Sequence, residues 1–239
     1  MAPFNSIEAF PKALLETLNI LHFTTMTEIQ DKAISPILEG KDILAQSKTG
    51  SGKTLAFGLP CVVRTDMNEN KPQTIIITPT RELAEQIAIE LRKVAAYKPN
   101  LKILTLYGGV PLRAQAESLA KGAHILIGTP GRIQDHLAKE TLVLDSIKTL
   151  VLDEADRMLD MGFYDEIVKI GSKMPRAKQT LLFSATFPDK IEKLAKALLK
   201  QPVTIKVDTV QESDKIDEIV YETSDKLKTL IALVQSYKP

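Results

Sequence analysis

A single cysteine, Cys61, rules out an internal disulfide, and three scattered histidines, His22, His124 and His136, form no cluster with metal-ligand spacing. Disulfide-stapled folds and zinc modules are excluded, and all four side chains read as structural packing residues. No stretch approaches the roughly 18 consecutive apolar residues of a membrane span, and no basic segment leads into an apolar run with a small-residue cleavage site at the start. Neither export nor a membrane partner is expected, and the expected location is the cytoplasm. Charge of one sign is lacking as well. With 31 basic and 30 acidic residues the net charge is +1, so no global basic field draws the chain onto nucleic acid and any such partner must be met by local sites.

What the 239 residues do carry is apolar content, 44%, enough for the core of one large domain. Short β-branched or apolar runs occur at Asp42 to Ala45, Thr74 to Ile77, Lys102 to Leu106, His124 to Ile127, Thr149 to Leu152, Thr180 to Phe183 and Val203 to Val207. Amphipathic stretches such as Arg81 to Tyr97 and Lys190 to Leu199 lie between them. This alternation predicts an α/β domain: a mainly parallel sheet of about seven strands with helices on both faces. After Asp208 a polar segment, Gln211 to Asp217, precedes a strand-like run, Ile219 to Glu222, and a helical one, Lys226 to Gln235. A lone strand and helix cannot bury a core, so residues 209–239 are expected to be a linker and the start of a second domain, the chain stopping inside a longer protein.

Polar or glycine-rich motifs follow six of the seven runs directly, and in open parallel sheets ligands bind at the carboxyl ends of the strands. The motif Ser47-Lys48-Thr49-Gly50-Ser51-Gly52-Lys53-Thr54 follows a strand and opens a helix, the context of a phosphate-binding P-loop. Its amides would cradle the β- and γ-phosphates, Lys53 would neutralise them and the Thr54 hydroxyl would bind Mg²⁺. Ser47 departs from the strict pattern, which has glycine there, and a plain glycine-rich turn is the alternative. Asp153 argues against that alternative, because it ends an apolar strand where a P-loop enzyme keeps its second Mg²⁺-coordinating carboxylate. Glu154 beside it could orient and deprotonate a water in line with the γ-phosphate, which is hydrolytic chemistry that a small-molecule kinase does not need.

Asp153-Glu154-Ala155-Asp156 spells the DEAD-box signature, and with its companions the chain resembles the DEAD-box RNA helicases over about residues 4 to 208. Phe23 and Gln30 resemble the Q motif, and Pro79-Thr80-Arg81-Glu82-Leu83-Ala84 resembles motif Ia. Thr129-Pro130-Gly131-Arg132 is similar to motif Ib and Ser184-Ala185-Thr186 to motif III. The stretches Asp153 to Phe163, Ala13 to Leu15 and Tyr221 to Ser224 are most similar to the bacterial DbpA-like branch.

The resemblance implies a RecA-like domain at residues 33–208, a Q-motif region at 1–32 and a truncated second RecA-like domain beginning within 209–239. It implies ATP and Mg²⁺ as cofactors, with Phe23 stacking on adenine and Gln30 reading its edge through one donor and one acceptor. His22 stands where the family usually has glycine. Motifs Ia and Ib with Gly108 and Gly109 imply contacts to a single-stranded RNA backbone, carrying no base-edge code. Asp156, Ser184 and Thr186 are implied to couple the nucleotide and RNA sites. A monomer with two lobes is expected, with little turnover in the first lobe alone because the second supplies arginine fingers. A nucleotide- and RNA-binding module and a small-molecule P-loop kinase are the alternatives, the latter told apart by stimulation with a small phosphoryl acceptor and not RNA.

Overall fold

A computed structural model of the chain describes residues 1–207 and 219–237. Seven strands, β1 (Ile43–Gln46), β2 (Thr74–Ile77), β3 (Ile103–Leu106), β4 (Ile125–Gly128), β5 (Thr149–Leu152), β6 (Gln179–Ser184) and β7 (Val203–Lys206), form one sheet in the order β3-β4-β2-β5-β6-β1-β7. Every neighbouring pair is parallel. The helices are α1 (Lys12–Ile20), α2 (Glu28–Leu38), α3 (Lys53–Arg64), α4 (Arg81–Val94), α5 (Leu112–Ala120), α6 (Pro130–Ala138), α7 (Ala155–Asp160), α8 (Tyr164–Ser172), α9 (Asp189–Leu198) and α10 (Lys226–Tyr237).

Strands β2, β4, β5 and β6 are buried at every position, as parallel strands covered on both faces must be. Their period of two divides the core. Ile76, Ile125, Ile127, Val151, Leu181 and Phe183 pack with residues of α1 to α4 on one face. Ile75, Ile77, Leu126, Leu150, Leu152 and Leu182 pack with residues of α6 to α9 on the other. The expected α/β architecture is therefore what the chain forms, with some strand limits displaced by a residue. Helix α3 is the most enclosed: Lys53 and every residue from Leu55 to Val62 are buried. Gly58 lets it approach α4, since a Cβ there would lie 2.3 Å from Leu91 Cδ2.

Strand order sorts the loops at the carboxyl edge. Those after β3, β4 and β2 carry Gly108-Gly109, Thr129 to Arg132 and Pro79 to Arg81, and they are neighbours at one end of the sheet. Those after β5, β6 and β1 carry Asp153 to Asp156, Ser184 to Thr186 and the phosphate-loop motif, and they are neighbours nearer the other.

The chain divides into two compact units, Met1–Asp208 and Thr209–Pro239. In the second, α10 is amphipathic yet buries none of its residues. The strand-like run Ile219 to Glu222 is not a strand, because its backbone has no partner for its N–H and C=O groups among the described residues. The polar stretch Gln211 to Asp217, like Asp208, lies outside the described residues. No described helix is long and apolar enough to cross a membrane.

Candidate functional site

Gly50 and Gly52, at φ +79° and +90°, turn the loop after β1 into the first residue of α3, Lys53. These left-handed angles explain why glycine stands there. Lys53 is buried, and its Nζ donates to the Ser47 carbonyl at 3.0 Å. Ser51 Oγ donates to Ser47 Oγ at 3.1 Å, so the loop is folded onto its own first residue. Lys48 and Thr49 remain exposed at its tip, and Thr54 follows Lys53 in the first turn of the helix.

Asp153 continues directly from β5 and is 3% exposed. Burial pushes its carboxyl up to about 6, against the pull of the Lys53 ammonium. Glu154, the N-cap of α7, sits at φ 50°, ψ 50°, a left-handed conformation that a glutamate adopts only when its surroundings dictate it. Its Oε2 accepts from Arg157 Nη1 at 2.9 Å. Asp156 points to the neighbouring loop. Its Oδ2 accepts from Ala185 N–H at 3.2 Å, Thr186 N–H at 2.9 Å and the Thr186 hydroxyl at 3.0 Å. Ser184 Oγ donates to the Thr186 carbonyl at 2.7 Å.

Thr54 and Asp153 line the same cleft and present one hydroxyl and one carboxylate. Two hard oxygen donors, with the remaining positions left to phosphate and water, suit Mg²⁺, and a buried carboxylate gains most from a cation beside it. The residue set therefore fits the metal.

Phe23 is 40% exposed, and His22 before it adopts φ 62°, so the histidine takes the left-handed conformation that glycine would otherwise supply. Gln30 is 3% exposed and already partnered at both ends of its amide. Oε1 accepts from Thr27 N–H at 2.9 Å, and Nε2 donates to the Gly52 carbonyl at 3.0 Å. One lone pair and one N–H remain for a ligand edge. Thr27 is the N-cap of α2 and forms a capping box with Gln30, its Oγ1 buried beneath the phosphate loop. Phe23, Gln30, Lys53, Thr54, Asp153 and Glu154 all line one cleft of about 820 Å³. A hollow of about 880 Å³, lined by Arg64, Lys71, Lys148 and Lys178, holds none of the candidate residues.

Along the β2, β4 and β3 loops, buried Pro79 precedes Thr80, which caps α4 by accepting from Leu83 N–H at 3.2 Å. Arg81 is exposed, its guanidinium 5.2 Å above the ring of Tyr107. Gly108 and Gly109 are exposed, and Thr129 leads into Pro130 and Gly131 at the start of α6. Arg132 behaves differently from expectation. It is turned inward, its side chain 13% exposed, and Nη1 donates to the Val110 carbonyl at 2.9 Å and Gln115 Oε1 at 3.1 Å. A guanidinium so enclosed needs acceptors, and the loop after β3 supplies one in Val110 and helix α5 the other in Gln115, so Arg132 braces that loop against α5.

Sequence reading missed Thr27, Arg157, Tyr107 and Glu85. Thr27 was findable, because Thr-x-x-Gln before an apolar run is a capping-box pattern. Arg157, Tyr107 and Glu85 carry no motif of their own.

A family model described as "DEAD/DEAH box helicase" matches residues 27–194. The chain is 47% identical over 228 residues to the ATP-dependent RNA helicase DbpA of Escherichia coli (strain K12), covering 95% of this chain and 50% of that protein. It is 46% identical over 194 residues to the ATP-dependent RNA helicase CshA of Listeria monocytogenes, covering 81% and 37%. A crystal structure of a DEAD box protein from Methanococcus jannaschii matches with a TM-score of 0.83 at 37% identity, covering 100% of this chain and 64% of that one. The chain thus spans half or less of the curated relatives named here.

Proposed function

This chain belongs to the DEAD/DEAH box helicase family, and from that premise we propose that it is the nucleotide- and RNA-binding lobe of an ATP-dependent RNA helicase. In the whole protein ATP hydrolysis drives RNA duplex unwinding or the remodelling of RNA–protein complexes, with a second RecA-like lobe that begins within residues 209–239. The whole protein is a cytoplasmic monomer. The identity to DbpA over nearly the whole chain supports the DbpA-like branch.

The observation that carries the reading is the single cleft onto which Phe23, Gln30, Lys53, Thr54, Asp153 and Glu154 converge. Phe23 stacks on adenine, and Gln30 offers its remaining N–H and lone pair to the base edge. The loop from Ser47 to Thr54 wraps the phosphates, which requires Lys53 to exchange the Ser47 carbonyl for phosphate oxygens. Thr54 and Asp153 would hold Mg²⁺, which would supply positive charge beside the phosphates. Glu154 orients the attacking water and takes its proton. Asp156 is bonded to Ala185 and Thr186, so movement at the nucleotide is passed to the β6 loop. Single-stranded RNA lies over Thr80, Arg81, Gly108, Gly109, Thr129 and Gly131, met through its backbone.

RNA-stimulated ATPase of the two-lobe protein tests this directly. Glu154→Gln should keep ATP·Mg²⁺ bound while turnover falls by about 10² or more, and Lys53→Ala should weaken nucleotide binding itself. Parental turnover in the Glu154 variant would remove the glutamate's role.

A further inference from the structure

Arg81 does not stand alone at the β2–β3 edge. Its guanidinium lies over the face of Tyr107 at 5.2 Å, a distance at which the ring quadrupole attracts a cation. The ring is itself clamped, because Tyr107 Oη donates to Glu85 Oε1 at 2.5 Å, and the same oxygen accepts from the Thr105 hydroxyl at 2.9 Å. That bond holds the Glu85 carboxyl below its ordinary range and pushes the Tyr107 hydroxyl above its own, the signature of a carboxylate kept charged by a phenol kept neutral. The tyrosine immediately precedes Gly108-Gly109. At Gly109, with φ +86°, a Cβ would come within 2.9 Å of Arg81 Nη1, so the second glycine leaves room for the guanidinium. Helix α4, strand β3 and the loop after it therefore converge on one arginine head group.

We propose that Tyr107, fixed by Glu85, is a positioning residue that presents the Arg81 guanidinium to an RNA phosphate beside Gly108 and Gly109. This rests on the RNA-binding reading of that edge. An unsupported arginine loses rotamer freedom when it meets a phosphate, whereas one already stacked on a clamped ring has lost it beforehand. Glu85 serves a second end. It sits on α4 four residues after Arg81, yet its hydrogen bonds go to the tyrosine and threonine hydroxyls, and among the described residues no carboxylate forms a close ion pair with the guanidinium.

The test is fluorescence anisotropy of a short labelled oligouridylate with the two-lobe protein and a non-hydrolysable ATP analogue, across a salt series. Arg81→Ala, Tyr107→Leu and the double variant form a cycle, with Tyr107→Phe as the rescue. Each single variant is expected to weaken RNA binding by about five- to tenfold and to flatten the salt slope by about 0.7, one phosphate's worth. The double variant should be scarcely weaker than Arg81→Ala, and Tyr107→Phe, which keeps the ring face and loses the Glu85 clamp, should recover only part of what Tyr107→Leu loses. ADP affinity measured on the same samples reports folding, since Tyr107 lies outside the nucleotide cleft. If Tyr107→Leu perturbs folding, Tyr107→Phe and Glu85→Gln, which each break the clamp and leave the ring face, should show the same partial loss of RNA affinity, and parental binding in both would overturn the role of the clamp. Multiplying effects, or an unchanged slope with Tyr107→Leu, would overturn the positioning role and leave Arg81 acting alone. If Arg81→Ala itself bound RNA as the parent does, the fault would lie with the RNA reading of this edge.

Discussion

Asp153 is a carboxyl that the fold holds at a cost until a cation arrives. Its ordinary value of 3.8 is raised to about 6 by burial. Below pH about 3 both folded and unfolded chains carry the proton, and the site costs nothing. As pH rises to about 6 the unfolded chain releases its proton first, so stability falls through that window and levels off above it. Asp153→Asn removes the titration while keeping the shape. In the nucleotide-free chain the variant should be more stable than the parent at neutral pH, by on the order of 3 kcal/mol, with the difference gone below pH about 3. Denaturation curves at a series of pH values would show this. Parallel curves for the two proteins would mean that Lys53 already neutralises the carboxylate in full.

At the scale of elements, the meeting of α2 with the start of α3 is the most constrained contact in the site. Gly52 has φ +90°, and a Cβ on it would stand 2.6 Å from Gln30 Nε2 and 2.9 Å from Thr27 Oγ1. Gly52→Ala should therefore cost about 1–3 kcal/mol in stability and weaken ADP binding at least tenfold, because strain and collision act together. Gly131, in the first turn of α6 with nothing within 4 Å of a would-be Cβ, is the contrasting case. Gly131→Ala should stabilise the chain by about 0.5–1 kcal/mol, since alanine loses less backbone freedom in a helix. Thermal melts of the pair check both, and a reversed order would mean that the α2–α3 contact yields easily.

The strands were legible because β-branched runs at Thr74 to Ile77 and Thr149 to Leu152 are local signals. So was the phosphate loop, whose glycines announce a turn. What stayed hidden depends on partners distant in the chain. That Gln30 would already hold Gly52, that Arg132 would turn toward Val110, and that Tyr107 would lie beneath Arg81 are outcomes of packing across 22 or more residues of separation, for which periodicity carries no information. The unpaired run at Ile219 to Glu222 failed for the same reason, its β-propensity being real and its neighbour lacking among the described residues.

At the scale of the molecule, a chain with a net charge of +1 has no long-range field for a polyanion, so on the proposed reading RNA affinity would come from the few exposed groups of three loops. With about two to four phosphates neutralised, the slope of log affinity against log salt should be shallow, roughly −1.5 to −3 at about −0.7 per phosphate. A slope much steeper than −3 would place further cationic contacts elsewhere. Turnover should be almost wholly a property of the two-lobe protein, because an arginine finger is commonly worth 10³ to 10⁵ in rate.

The order β3-β4-β2-β5-β6-β1-β7 also bears on how such a machine can be altered. On the proposed reading its RNA-facing loops come from three adjacent strands, and its phosphate-facing loops from another three, with β5 at the seam. Grafting the loops after β3, β4 and β2 should then change which polymer is gripped while nucleotide binding stays as it was, so long as Asp156 keeps its grip on Thr186 across the boundary.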